Sequence, residues 1–283
     1  MSQQRVGRRQ LETIREGLAD RDLKIVETVS THRFLTTRQI CRFHFKDKPT
    51  KTAALRSANR VLSKLRDLRM LVSLERRIGG VRAGSGSFVW GIGPVGARLL
   101  NQANQVDELP VRHRAHEPSL TFLKHTLAVA EVSLRLAEAT RAGRFTLIGI
   151  QHEPACWRAY NGSGGGTLRI KPDLAVVSAS DDFEDHWFIE VDLATEPPSR
   201  VIRTCLSYQD YQRSGAEQRR LGLFPAVVWI VPTAHRKETI ESRLKDDRAI
   251  DVRLFRVIAL DELEALMERG AAYENPAPVE VGS

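Results

Sequence analysis

Two short stretches decide the fold: Leu168-Arg169-Ile170-Lys171-Pro172-Asp173-Leu174-Ala175-Val176-Val177 and His186-Trp187-Phe188-Ile189-Glu190-Val191-Asp192-Leu193-Ala194-Thr195. In the second, Trp187, Ile189, Val191 and Leu193 alternate with Phe188, Glu190 and Asp192. Strand side chains alternate between faces, so Glu190 and Asp192 are expected on one side. Asp173 follows a proline at the entry to the apolar run Leu174–Val177. Paired as a hairpin, the two strands would bring Asp173, Glu190 and Asp192 together at one strand edge. Hard divalent cations such as Mg²⁺ or Mn²⁺ favour such oxygen clusters, so these three are the candidate metal ligands.

Outward from this pair, the pattern predicts a mixed α/β domain over residues 118–270. A long helix from Pro118 to Ala142 stops at Gly143, and a strand runs from Phe145 to His152. A helix from Pro198 to Arg213, an apolar strand from Pro225 to Val231 and a helix around Lys237–Lys245 follow. A short strand near Asp251–Phe255 and a helix from Asp261 to Arg269 close the domain, and residues 271–283 read as a tail. The glycine-rich segment Asn161–Gly166 is expected to be a hairpin loop. It lacks the Gly-Lys-Ser/Thr of a phosphate loop.

The other half of the chain differs in charge. Residues 1–116 hold 23 Lys and Arg against 10 Asp and Glu, a net +13, whereas residues 117–283 hold 20 against 25, a net −5. A basic first half beside an acidic second half points to a polyanionic partner for the first. After a loose basic tail (residues 1–19), residues 20–103 read as three helices and a basic hairpin. The helices lie near Asp20–Val29, near Thr36–Phe43 and at Thr52–Met70, and strands at Leu71–Arg76 and Ser87–Ile92 flank a glycine-rich turn. This is the plan of a winged helix-turn-helix, whose third helix enters the major groove of duplex DNA. Arg56, Arg60 and Lys64 recur at i, i+4, i+8 on that helix, with Lys51 at its start and Asn59 beside the stripe. Thr37 and Arg38 on the second helix, and Arg76, Arg77 and Arg82 on the wing, complete the candidate DNA contacts. Residues 104–117 form a polar linker.

The order helix–strand–strand–strand–helix–strand, with Pro172-Asp173 and Glu190-Val191-Asp192, resembles the restriction-endonuclease-like PD-(D/E)xK superfamily. The whole chain, over about residues 20 to 260, is similar to the bacterial replication-relaxation family. The similar parts are the winged helix, the helix carrying Thr126–Glu131 after His125, Lys171-Pro172-Asp173, Ile189–Asp192 and the Tyr208…Tyr211 helix. The resemblance implies a DNA-binding protein of plasmid replication, relaxation or mobilisation, with double-stranded plasmid DNA as partner. A homodimer and replication or relaxase proteins are further expected partners. It also implies Glu131, Asp173 and Glu190 as acidic residues of a nuclease-type site.

The pattern departs from the superfamily at its lysine position, where Asp192 stands. Lys171, Arg200 and Arg203 are the candidate substitutes, and arginine is a poor proton acceptor. Three readings stay open: a DNA-binding protein with a degenerate nuclease-like domain, an active Mg²⁺-dependent nickase, and a winged-helix regulator whose C-terminal domain dimerises. Three well-separated cysteines, Cys41, Cys156 and Cys205, suggest neither disulfides nor zinc, and no run approaches a membrane span. A bacterial cytoplasmic location is expected.

Overall fold

The computed structural model describes residues 7–78, 87–103, 118–162, 164–180 and 183–270. Helix and sheet are mixed throughout, and the chain divides into two compact units at Leu134/Arg135.

The N-terminal unit begins with α1 (Arg8–Glu16), where the sequence left a loose tail or a frayed helix open. Leu11, Ile14 and Leu18 follow helical spacing and pack into the core, which outweighs the basic character of the segment. Next come α2 (Asp20–His32), β1 (Phe34–Thr36) and α3 (Thr37–His44). Then follow α4 (Lys51–Asp67), β2 (Leu71–Ile78), β3 (Ser87–Ile92) and α5 (Pro94–Ala103). Thr36 caps α3 in a reciprocal box. Its hydroxyl accepts the Gln39 N–H at 3.1 Å, and its own N–H donates to Gln39 Oε1 at 3.0 Å. Thr50 caps α4 by accepting the Ala53 N–H.

Helix α4 buries Ala54, Ala58, Leu62 and Leu65, at helical spacing, against Ile25, Val26, Val29, Leu35 and Ile40. The strands form an antiparallel sheet in the order β1-β3-β2. At its end, Gly93 N–H donates to Met70 O at 2.7 Å, and a Cβ on Gly93 would lie 2.3 Å from Arg69 O. Only glycine fits that approach. The expected linker 104–117 and the wing turn 79–86 lie outside the described residues.

Helix α6 (Leu120–Arg141) begins in the first unit and ends in the second. In the C-terminal unit β4 (Thr146–His152), β5 (Arg158–Asn161), β6 (Thr167–Ile170), β7 (Leu174–Ser180) and β8 (Phe183–Val191) follow in turn. The chain continues through α7 (Pro198–Arg213), α8 (Ala216–Leu221), β9 (Ala226–Val231), α9 (Ala234–Asp246), β10 (Phe255–Ala259) and α10 (Leu263–Arg269).

The central sheet runs β10-β9-β8-β7-β4. Strands β8, β9 and β10 are parallel, and β7 is antiparallel to both β8 and β4. The parallel strand β9 reads Ala-Val-Val-Trp-Ile-Val and is almost wholly buried, as covered parallel strands are. One sheet face, with Phe188, Val227, Trp229 and Val257, packs against Val201, Cys205, Tyr208 and Tyr211 of α7 and Ile240 and Leu244 of α9.

Two expectations need correction. The stretch Leu168–Val177 is not one strand. It breaks at Lys171-Pro172-Asp173, so that β6 pairs with β5 in a separate two-stranded sheet and β7 joins the central one. Pro172 has no N–H for a ladder, and the break falls there. The strand expected at Asp251–Phe255 begins instead at Phe255. Asp251 caps a 3-10 turn over Val252–Leu254 by accepting the Arg253 N–H at 3.1 Å.

Candidate functional site

In the C-terminal unit, the ladder that pairs Leu174 with Ile189 places Asp173 and Glu190 opposite each other one step further on. Asp173 is buried. Its N–H donates to Ile189 O at 3.0 Å, and its Oδ2 accepts the Val191 N–H at 2.8 Å. The carboxylate thus closes the last rung of the β7–β8 ladder. Glu190 lies on the α7 face of β8, beside Phe188, and accepts a 2.6 Å hydrogen bond from the hydroxyl of Tyr208, a residue with no exposed surface. Part of Glu190 still reaches solvent, yet burial of its carboxyl, followed by the charge of Asp173, raises its pKa well above the usual glutamate range. Burial, and then Glu190, raise the Tyr208 hydroxyl in turn.

The three expected metal ligands do not converge. Strand β8 ends at Val191, and Asp192 turns away into a buried ion pair with Arg236 at the start of α9. Arg236 Nε donates to Oδ2 at 2.6 Å, and the same guanidinium reaches Glu196 O at 2.8 Å. Asp192 Oδ1 also accepts the Ala194 N–H at 3.1 Å, which fixes a turn in which Ala194 has a φ of 55°. Among the described residues, no three His, Cys, Asp or Glu side chains form a group able to hold a metal ion.

The expected cationic substitutes are placed as follows. Lys171 is exposed with its Nζ 4.7 Å above the Trp157 ring, and Arg200 pairs with Glu196 at 2.6 Å. Arg203 is exposed on α7. The cation that meets the carboxylate at the lysine position is Arg236, which sequence reasoning missed. A signal was present, because α9 opens Ala234-His235-Arg236-Lys237 with no acid in its first turn. Cations there oppose the helix dipole and call for carboxylate partners. Arg236 finds Asp192, and Lys237 finds Glu262 at 2.8 Å. Also missed were Glu153, whose charge reaches Glu190, and Cys156, whose thiol donates to Pro172 O. Burial, then Glu153, pushes the Cys156 thiol up to about 12, so it is an inert structural thiol. All three cysteines are free and buried.

Glu131 is placed in the N-terminal unit. Gln39 Nε2 donates to its Oε2 at 3.2 Å and to Leu127 O at 3.0 Å, while Arg42 pairs with its other oxygen. The carboxylate fastens α6 onto α3, and Leu123 and Leu127 cover Val89 on the sheet beside it.

On the same unit, Lys51, Arg56, Asn59 and Arg60 of α4 and Arg38 of α3 are exposed. Arg38, Lys51, Arg56 and Arg60 make no ion pair among the described residues. Lys64, by contrast, is tied to the buried carboxylate of Asp22 at 2.9 Å and so holds α4 to α2. Thr37 is buried. Its hydroxyl accepts from Trp90 Nε1 at 2.9 Å and anchors the sheet. Arg76 and Arg77 lie on β2, and Arg82 falls outside the described residues.

A unit of helices and a three-stranded sheet with a basic helix face, joined to an α/β unit with a buried carboxylate pair at the end of a mixed sheet, defines a two-part α/β protein. The chain belongs to the replication-relaxation family, whose model matches residues 26–227, more than half its length. That membership ties it to replication and relaxation. Comparisons with curated proteins and with solved structures gave no match. No helix among the described residues is long and apolar enough to cross a membrane.

Proposed function

We propose that this replication-relaxation protein binds duplex DNA through a winged helix-turn-helix in its N-terminal unit, with α4 as the helix that meets the groove. One observation carries this reading: Arg56 and Arg60 stand one turn apart on the exposed face of α4 without carboxylate partners among the described residues, in a half of the chain with net charge +13. Unpaired guanidinium groups on one helix face suit phosphate oxygens and guanine edges. The element order α2–β1–α3–α4–β2–β3 supports it, since in such folds the helix before the hairpin is the reader. In this reading Arg38 and Lys51 contribute phosphate contacts at the flanks. Plasmid DNA is the expected target.

The C-terminal unit is proposed as a nuclease-like fold that has lost hydrolysis. The residues present do not fit the divalent ion that such a site implies. Asp192 is taken by Arg236, one oxygen of Asp173 by a backbone N–H and one oxygen of Glu190 by the Tyr208 hydroxyl, while burial and the charge of Asp173 disfavour ionisation of Glu190. The carboxylates serve to close the strand ends.

Substituting Arg56→Ala together with Arg60→Ala tests the DNA reading. Each phosphate contact contributes about −0.9 to the slope of log affinity against log salt, so losing two is expected to flatten that slope by about 1.8. Binding measured by fluorescence anisotropy on a labelled duplex reads both affinity and slope. Identical curves for the variant and the wild-type chain would remove α4 as the DNA-contacting helix.

A further inference from the structure

The hairpin of β5 and β6 carries a surface that the acidic centre does not use. From Trp157 to Pro172 the sequence holds Arg158, Arg169 and Lys171 and no acidic residue, inside a half of the chain whose net charge is −5. Pairing sorts these side chains between the two faces of the hairpin. Arg158 opposite Ile170 and Tyr160 opposite Leu168 share one face, and Tyr160 and Ile170 enter the core there. Ala159 opposite Arg169 and Asn161 opposite Thr167 share the other, so Arg169 is exposed on the outer face.

A cavity of about 320 Å³ opens beside this face, lined by Ala159, Asn161, Thr167, Ser214 and Arg219 among others. Arg219 of α8 is exposed, and its guanidinium folds over Gly215, where an added Cβ would come 2.9 Å from Nη1. Its neighbours are committed elsewhere: Arg220 and Arg158 both pair with the buried Glu217. Asp210, whose charge reaches Tyr160 at the cleft, is paired with Arg213 at 3.6 Å. Arg169 and Arg219 make no ion pair among the described residues. Two guanidinium groups beside the amide of Asn161 and the hydroxyl of Thr167 are the chemistry that recognises a phosphate. At the hairpin tip, positions for a Cβ on Gly164, Gly165 and Gly166 are clear to 4 Å. The backbone there is open to close approach.

We propose that the outer face of the β5–β6 hairpin and the cleft beside Arg219 bind the phosphodiester backbone of duplex DNA, as a second contact besides α4. This rests on the DNA-binding reading above. The strip lies in an acidic unit, so general basicity does not account for its lack of carboxylates.

The test uses the full chain and a labelled duplex. Arg169→Ala with Arg219→Ala is expected to flatten the salt slope by about 1.8, while Arg169→Lys with Arg219→Lys keeps it. Both side chains are exposed and make no ion pair among the described residues, so the melting temperature should stay at the wild-type value. That leaves a changed slope attributable to lost contacts. An unchanged slope in the alanine pair, with a flattened one in Arg56→Ala/Arg60→Ala, overturns the hairpin contact and leaves the α4 reading standing. A wild-type chain that fails to bind duplex DNA overturns both.

Discussion

Replacing Arg236 with alanine is expected to destabilise the C-terminal unit by about 3–5 kcal/mol, the cost of stranding a buried charge by removing its partner. The geometry places this pair at the upper end of ion-pair effects. Both side chains are nearly inaccessible, at 11% and 7% exposure, and the Nε–Oδ2 distance is 2.6 Å. The guanidinium also satisfies Glu196 O, so its loss leaves that carbonyl without this donor and the carboxylate with only the Ala194 N–H.

Asp192→Asn is expected to cost less than Arg236→Ala, because an amide oxygen can still accept the Ala194 N–H that holds the turn. Combining Asp192→Asn with Arg236→Ala should recover part of the loss, since neither residue then carries a stranded charge. Urea unfolding of the four proteins closes the cycle. A loss below about 1 kcal/mol for Arg236→Ala would place the pair among solvated surface bridges and remove its structural role.

The same pair shows how far the sequence could be read. Strands β8 and β9, the helix α7 from Pro198 to Arg213 and the three helices α2, α3 and α4 were legible because each carries an unbroken period or a clear cap. That Asp173 and Glu190 meet at one strand edge was legible from a hairpin pairing, but the register that sets them opposite each other was not. Asp192 was not. Period two puts it on the face of Glu190 only while the strand continues, and the strand stops at Val191, where a turn stabilised by the Asp192 side chain begins. Its partner lies forty-four residues away on another element. No local rule reaches that far.

Glu131 was misplaced for a related reason. Its spacing on a long apolar helix says which residues share its face, not that Gln39 and Arg42 will occupy it. Lys64 likewise belongs to the stripe of Arg56 and Arg60 by period, but a buried Asp22 on α2 captures it. Side chains whose roles depend on long-range partners are the ones that the sequence leaves open.

Glu190→Gln is expected to stabilise the protein at neutral and alkaline pH, with an advantage that shrinks as the pH falls. Burial, then the charge of Asp173, raises the Glu190 carboxyl well above the ordinary glutamate value in the folded chain. Once the pH passes the ordinary range, the unfolded chain has lost this proton while the folded chain keeps it. Stability therefore falls with rising pH, by up to about 1.4 kcal/mol per unit, until the raised folded value is reached. Below the ordinary range both states are protonated, and the contribution is fully present. Glutamine mimics the neutral carboxyl, accepts the same Tyr208 hydroxyl and has no proton to lose, so its stability lacks this slope.

The two proteins should converge near pH 4 and separate progressively above it, as read by thermal melting across a pH series. A metal site makes the opposite demand. A bound Mn²⁺ or Mg²⁺ would need Glu190 ionised and would raise the wild-type melting temperature by linkage, an increase that glutamine would abolish. A wild-type chain stabilised by Mn²⁺ at neutral pH, beside a destabilised and metal-insensitive Glu190→Gln, would falsify the neutral-carboxyl account and put the nickase reading ahead of the degenerate one. Melting curves that ignore Mn²⁺, with glutamine the more stable variant, leave Asp173 and Glu190 as a buried pair that shares its burden through Tyr208 and the Val191 N–H.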